Sequence, residues 1–208
     1  MLNFKFFRNM TIVSMVLVVS GCSTLSQEEC LVADWQLIGR EDGAEGRGAS
    51  YIGNHRKACA EYGVVPDLAQ YKKGYDEGLV LYCDQYNGFK RGEQGADYNG
   101  ACPAHLEPRF LIGYNEGRAI YLLKSRISQA RSSINANENK MEGLDEDIGE
   151  LEDRLVVNET TSDARREILA KLKKKQEERG ALENENQALA VEAARLEGEL
   201  KGMGYGGK

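Results

Sequence analysis

The sequence predicts a mainly α protein: a small disulfide-stapled, glycine- and tyrosine-rich helical domain, followed by an antiparallel coiled-coil helical hairpin. Three observations predict this class. The first half of the chain holds widely spaced cysteines, glycines recur there four residues apart beside aromatic residues, and apolar residues in the second half recur every seven positions. The N-terminal segment differs in character from both halves.

The N-terminus has the pattern of an export signal. Lys5 and Arg8 supply a positive flank, and Met10 to Val19 form an apolar run that is too short to span a bilayer comfortably. The run ends in Val19-Ser20-Gly21-Cys22, which resembles a lipobox. We therefore interpret residues 1–21 as a lipoprotein signal peptide and Cys22 as the lipidated residue. The alternative is an ordinary or uncleaved signal with an incidental cysteine.

Lipidation would attach the mature chain to a membrane through its N-terminus. The lipobox pattern implies a diacylglyceryl group on the Cys22 sulfur and a further acyl chain, such as palmitate, on its amine. Two lipid signals already suffice for stable anchoring. In enteric bacteria, an aspartate directly after the lipidated cysteine retains lipoproteins in the inner membrane. This chain has Ser23 at that position. We expect the outer membrane of a Gram-negative bacterium, with the protein on its periplasmic side.

Export determines how the other cysteines are interpreted, because disulfides persist in the oxidising periplasm. Cys30, Cys59, Cys83 and Cys102 allow three connectivities. We prefer Cys30 with Cys59 and Cys83 with Cys102, since sequential pairing closes short local loops. A zinc site that combines two cysteines with the two histidines is disfavoured, because oxidation would remove its thiolates.

A short unit repeats in the first half of the chain. Tyr71 to Gly78 matches Phe110 to Gly117 at an offset of 39 residues, and Tyr82 then matches Tyr121. Glycines four apart lie on one face of a helix, so such helices could pack with their backbones very close. Looser copies of the unit contain Trp35, Gly39, Asp42 and Gly43, and then Gly88, Phe89, Gly92 and Gly95.

The domain boundaries follow the change in composition. Residues 22–29 are assigned to a lipidated tether and residues 30–118 to the disulfide-stapled domain. Within it, Asn54 is expected to cap a helix, while Pro66 and Pro108 mark the starts of two more. Residues 84–103 contain two Asn-Gly pairs that favour turns, so an irregular loop is expected there.

The second half, residues 119–202, has a heptad rhythm that breaks near 157–162. The first seam contains Leu123, Ile127, Ala130, Ile134, Met141, Leu144, Ile148, Leu151 and Leu155, with Asn137 as its polar exception. The second contains Ile168, Leu172, Leu182, Leu189, Ala193, Leu196 and Leu200, interrupted by Lys175, Arg179 and Asn186. Two arms around a break, where Thr160 and Asp163 resemble a capping box, predict a hairpin. Residues 203–208 form a flexible tail.

Charge supports the antiparallel arrangement. Folding the chain near residue 159 places the acidic group Asp145, Glu146, Asp147 and Glu150 opposite the basic group Lys171, Lys173, Lys174 and Lys175. Opposite charges would then meet, which disfavours a parallel register. The alternative is one continuous helix that pairs with a second copy, so a homo-oligomer through the coiled coil is a possible assembly.

The chain shows no convincing catalytic constellation. No H-E-x-x-H or G-x-S-x-G motif occurs, and the only histidines are His55 and His105, interpreted as a helix residue and a turn residue. We therefore predict a non-enzyme with no cofactor and no metal. The formal net charge of −6 makes nucleic acid an unlikely partner.

Two functions remain open for such a chain. The favoured one is a membrane-anchored, non-enzymatic scaffold or interaction module, whose coiled-coil hairpin contacts an envelope protein or peptidoglycan. The alternative is a periplasmic lipoprotein that binds a glycan or peptide through an aromatic groove containing Tyr75, Tyr114 and Trp35. The competing interpretation of these rings is that they form the domain core.

The order of motifs resembles a known family. The matching residues include Asp34-Trp35, Ile38-Gly39, Asp42-Gly43, His55-Arg56, Cys59, Tyr82-Cys83, Asn87-Gly88-Phe89, Cys102-Pro103 and Tyr114 with Gly117. Together with the lipobox they resemble the bacterial lipoproteins grouped as domain of unknown function 2799, over most of residues 20 to 125. The resemblance implies lipoprotein status and a cysteine framework, and it implies no activity. The heptad region resembles a helical C-terminal extension of such proteins.

Overall fold

The computed structural model describes residues 24–205. Over this range the chain is helical and forms no β-strand, which confirms the predicted fold class. The helices are α1 (Gln27–Leu31), α2 (Trp35–Ala44), α3 (Ile52–Ala60), α4 (Leu68–Tyr82), α5 (Gln85–Glu93), α6 (Glu107–Val156) and α7 (Ser162–Gly202), and a 3-10 turn at Ala49–Tyr51 precedes α3. The predicted signal peptide, Cys22 and the tail end at 206–208 lie outside the described residues. None of the helices described is both long and apolar enough to span a bilayer.

Short polar side chains begin most of these helices. Asp34, Asp67 and Asp84 each accept a hydrogen bond from a backbone N–H in the first turn of α2, α4 and α5. Two predicted caps are wrong. α3 begins at Ile52 and contains Asn54, and the cap of α7 is Thr161, one residue after the predicted Thr160.

The domain consists of two pairs of parallel helices, α2 with α4 and α5 with α6. The direction follows from the contacts of the glycines: Gly39 lies against the backbone of Tyr71 and Tyr75, and Gly43 against that of Tyr75 and Leu79. Each of the four helices contributes two glycines four residues apart to these contacts. The predicted close backbone packing is therefore present in both pairs.

The two pairs are copies of one unit. Gly88, Gly92 and Gly95 of the second pair occupy the places of Gly39, Gly43 and Gly46 at an offset of 49 residues. The second helices of the two units, α4 and α6, match at an offset of 39. The connection between the two helices is therefore ten residues longer in the first unit than in the second. That longer connection contains α3, which has no counterpart in the second unit.

The prediction of a loop over residues 84–103 is wrong for the first half of this range, which forms α5. Asp84 caps the helix through the Asn87 N–H, and Gly88 is needed because a Cβ there would lie 2.2 Å from the Phe110 carbonyl oxygen. The first Asn-Gly pair thus serves helix packing. The second is a turn as expected, with Gly100 at a φ of 72°.

One disulfide ties together each unit. Cys30 bonds to Cys59 and Cys83 bonds to Cys102, the pairing that the sequence favoured. Each bond joins the stretch before the first helix of a unit to the connection between its two helices. Crosslinks of this kind typically add about 2–4 kcal/mol of stability, which a glycine-rich domain needs because each helical Gly costs about 1 kcal/mol.

The C-terminal half is an antiparallel hairpin of α6 and α7. Every position of the two predicted seams is buried or half-buried. α6 passes through residue 118, where the composition changes, without interruption. Its 50 residues correspond to a length of about 75 Å, so one helix belongs to both the second unit and the hairpin.

The apolar contacts of the hairpin form two separate clusters. The basal cluster contains Ile120, Leu123, Ile127, Leu196 and Leu200, and the distal cluster contains Leu151, Ile168 and Leu172. Between the clusters the seam contains a polar pair: buried Asn137 donates a hydrogen bond of 2.9 Å to the side-chain oxygen of Asn186.

The predicted charge pairing between the arms is correct for part of the set. Lys175 lies 2.5 Å from Asp147, as predicted, whereas Arg179, which lies 2.6 Å from Asp145, was not in the predicted basic group. Lys171 and Lys173 instead pair within α7, with Glu167 and Glu177. The reason is helical spacing, since an acid four residues away is always in reach.

Candidate functional site

The aromatic residues considered for ligand binding lie inside the domain. Trp35 and Tyr75 are 9% and 6% exposed, and Tyr114 is half-buried. The Tyr75 hydroxyl donates to the Arg47 carbonyl and the Tyr114 hydroxyl to the Ala96 carbonyl, so the two rings have the same role in the two units. A ligand would have to displace core side chains to reach them.

A buried polar network lies where α2, α3 and α4 meet. Asp42 Oδ2 accepts a hydrogen bond of 2.7 Å from the Tyr71 hydroxyl and lies 2.8 Å from His55 Nε2. His55 Nδ1 lies 3.0 Å from the Thr24 hydroxyl, and Arg47 Nε lies 3.5 Å from Asp42 Oδ1. The residues Asp42, His55 and Tyr71 are at most 4% exposed.

Electrostatics keeps Tyr71 in its protonated form. Burial raises the pKa of the Tyr71 hydroxyl well above its usual value, and the hydrogen bond to Asp42 raises it further. The hydroxyl therefore remains a donor to Asp42 across the physiological range. Both ring nitrogens of His55 are occupied as well, so the network binds parts of the fold together and offers no free base to a substrate.

The remaining residues considered for chemistry do not come together. His105 is exposed in the turn before α6, far along the chain from His55. Among residues 24–205, no group of three His, Cys, Asp or Glu side chains is arranged to hold a metal ion. The four cysteines are consumed in disulfides.

The tip of the hairpin exposes apolar side chains. Val156 and Val157, at the end of α6, are 77% and 46% exposed, and Leu169 on α7 is 55% exposed. A shallow depression next to them is lined by Arg154, Thr160, Thr161, Ala164 and Ile168, among others. The sequence predicted a turn here, but it did not predict that apolar side chains would remain uncovered.

The geometry defines a class of protein: a disulfide-linked, all-helical domain built from two glycine-packed units and continued into a helical rod. Residues 34–119 match the family model described as "Protein of unknown function (DUF2799)". This match confirms the resemblance found in the sequence. No curated protein and no solved structure matches the chain. The description of the family assigns no activity.

Proposed function

We propose that this protein is a lipid-anchored scaffold of the bacterial outer membrane, facing the periplasm, whose helical hairpin contacts another envelope component. Cys22 would carry the lipid. The observation that carries the proposal is the continuity of α6, which begins beside the Cys83–Cys102 disulfide and runs without a break to the hairpin tip. No hinge separates the domain from the rod, so the tip is presented at a fixed distance.

The dimensions suit a spacer. From the basal cluster at Leu123 to the end of α6 at Val156 the rod extends about 50 Å. Its outer surface is charged, and exposed ion pairs of this kind add only about 0–1 kcal/mol each. The surface charge therefore supports solubility of the rod more than its stability.

The tip indicates the kind of partner. Val156, Val157 and Leu169 present apolar surface, which is favourable to bury against a protein. We therefore favour an envelope protein over peptidoglycan. The burial of Trp35 and Tyr75 gives no support to an aromatic glycan- or peptide-binding groove.

The anchor can be tested by itself. Cys22→Ser should abolish incorporation of labelled palmitate and move the protein from the membrane fraction to the soluble fraction. The full chain with Cys22 intact is the control. A chain with Cys22 that takes up no label and stays soluble contradicts the anchor.

The docking role requires a test at the tip. A photo-crosslinking amino acid at Val157 should capture an envelope protein in cells, identified by mass spectrometry. The same amino acid at Glu178, exposed on the middle of α7, is the matched control. Equal capture at the two positions, or capture of peptidoglycan alone, would contradict a specific protein contact at the tip. Capture of a second copy would identify a homo-oligomer instead.

The spacer role predicts dependence on length. Deleting residues 138–144 together with 179–185 removes one heptad from each arm, keeps the seam in phase and shortens the rod by about 10 Å. We expect unchanged folding by circular dichroism and loss of the Val157 crosslink. Retention of that crosslink at full yield would show that the reach of the rod is unimportant.

A further inference from the structure

The chain is fixed to the domain almost from the predicted lipidation site onward. Thr24, two residues after Cys22, contacts His55 through its hydroxyl, and Leu25 packs against the core of the domain. Ser26 then caps α1 in a capping box with Glu29. The sequence predicted a tether for residues 24–29. In the structure these residues are held by contacts with the domain and do not form a flexible linker.

We propose that docked Thr24 holds one face of the domain directly against lipid headgroups. We call this face the anchor-side surface and define it by Thr24, Arg47, Ser50 and Tyr51. The inference rests on the proposed lipidation of Cys22. It adds that the membrane itself is a binding partner of the folded domain, at a defined surface.

Chain length supports this geometry. Two residues span at most about 7 Å, so the lipid-bearing residue must lie close to Thr24 whatever its own conformation. Acyl chains on that residue enter the bilayer, and the headgroup region would then lie within about 10 Å of Thr24. A domain docked at Thr24 and Leu25 cannot move away from the membrane unless the contacts of these residues with His55 and with the core break.

Thr24 contacts His55, and the side chains next to His55 suit a headgroup environment. Tyr51 lies edge-on to His55 with ring centroids 5.2 Å apart, and the Arg47 guanidinium lies 4.2 Å above the Tyr51 ring. Arg47 pairs with Glu45 at 2.6 Å and remains 33% exposed. Arginine binds phosphate oxygens, and tyrosine is enriched at membrane interfaces because its ring is apolar and its hydroxyl polar.

The buried network connects Thr24 to the rest of the domain. His55 joins Thr24 to Asp42, and Asp42 joins α3 to Tyr71 on α4. The second unit has no such link, since Arg91 and Phe110 occupy the places of Asp42 and Tyr71 and α3 is missing. Only the first unit, which follows the anchor, has the docking residues.

Fluorescence quenching tests the orientation. The lipidated full chain is reconstituted into vesicles of phosphatidylcholine and phosphatidylglycerol that contain a lipid with a nitroxide on its headgroup. A fluorophore on Ser50→Cys should be quenched severalfold more than the same fluorophore on Glu159→Cys at the hairpin tip. Comparable quenching at the two positions overturns the proposal.

The outcome separates this proposal from the proposed anchor. Flotation of the vesicles reports lipidation, so a protein that floats without quenching at Ser50 contradicts only the orientation. A protein that does not float contradicts both. A ten-residue Gly-Ser insertion between Ser23 and Thr24 is the matched control, because it keeps the lipid and the fold but adds slack. It should reduce quenching at Ser50 severalfold, and unchanged quenching would show that docked Thr24 does not set the distance.

Discussion

Individual glycines set the distance between the paired helices. A Cβ on Gly74 would lie 1.8 Å from the carbonyl oxygen of Gln36, and one on Gly78 would lie 2.2 Å from that of Arg40. Both contacts are with backbone atoms, which cannot rotate away as a side chain would. A methyl group at either position must therefore separate α2 from α4.

We expect Gly74→Ala to destabilise the domain by about 3 kcal/mol or more, because overpacking against backbone forces the helices apart. Gly53→Ala is the matched control: Gly53 lies in α3 with nothing within 4 Å of its Cβ position, so alanine there should be neutral or stabilising by up to about 1 kcal/mol. Urea unfolding followed by the fluorescence of Trp35, the single tryptophan, measures both. Equal stability of the two variants would contradict the close packing.

Because of Tyr71, we expect the free energy of unfolding of the domain to decrease at alkaline pH. Its pKa is raised in the folded state, so its contribution to stability is complete below the unfolded pKa of about 10 and is lost as the pH rises above that value. The variant Tyr71→Phe should lose about 1–3 kcal/mol at pH 7, because a hydrogen bond to a charged carboxylate is removed.

The difference between Tyr71→Phe and the natural chain should shrink at pH 11. Exposed Tyr86→Phe serves as the control and should leave the pH profile unchanged. Some loss at high pH should remain in Tyr71→Phe, since burial also raises the pKa of Tyr75 and Tyr98. If the difference in stability between Tyr71→Phe and the natural chain stayed constant from pH 7 to pH 11, the proposed effect of the Tyr71 hydroxyl would be contradicted.

The two long helices show how polar residues in a seam specify an arrangement. Asn137 is 5% exposed and pairs with Asn186 midway between the two apolar clusters. A buried amide is satisfied only when its partner is opposite, so this pair favours one register over neighbouring ones at a cost in stability.

The double variant Asn137→Leu with Asn186→Leu should unfold at a higher temperature than either single variant. Each single change leaves one amide without its partner, at a cost of about 1–3 kcal/mol, whereas replacing both removes the penalty. Thermal unfolding by circular dichroism gives the order of stability. Sedimentation of the double variant should reveal additional oligomers, and a single unchanged species would contradict the role in specificity.

Across the whole molecule, the hairpin base and the second unit form one packed body. Phe89 on α5 packs against the basal cluster, and its ring stacks with that of Tyr205 after α7, with centroids 6.2 Å apart. Lys124 lies above the Tyr205 ring. The returning end of α7 is therefore attached to the domain that α6 leaves.

We expect Phe89→Ala to loosen this attachment at a cost of about 2 kcal/mol, because a half-buried ring loses part of its apolar contact. Hydrogen exchange should accelerate at residues 196–205 and stay unchanged at the distal cluster around Leu151. Uniform acceleration along α7 would instead indicate that the rod unfolds as a unit.

Local sequence determined much of this architecture. The heptads predicted both arms, because a period of seven residues matches the helical repeat, and the glycine spacing predicted close helices. The DUF2799 resemblance was likewise recognisable from ordered motifs. Caps were less certain: Asn54 and Thr160 have the right chemistry, yet neighbouring residues begin the helices.

Long-range contacts fixed the remaining features of the fold. Asp42 meets His55 and Tyr71 across separations of 13 and 29 residues, and His55 meets Thr24 across 31, with no periodicity to reveal them. The parallel direction of the helix pairs, the helical state of residues 85–93 and the absence of a slack tether depend on contacts between distant segments. Sequence specifies local preferences, but burial and long-range hydrogen bonds determine which of these preferences the folded chain uses.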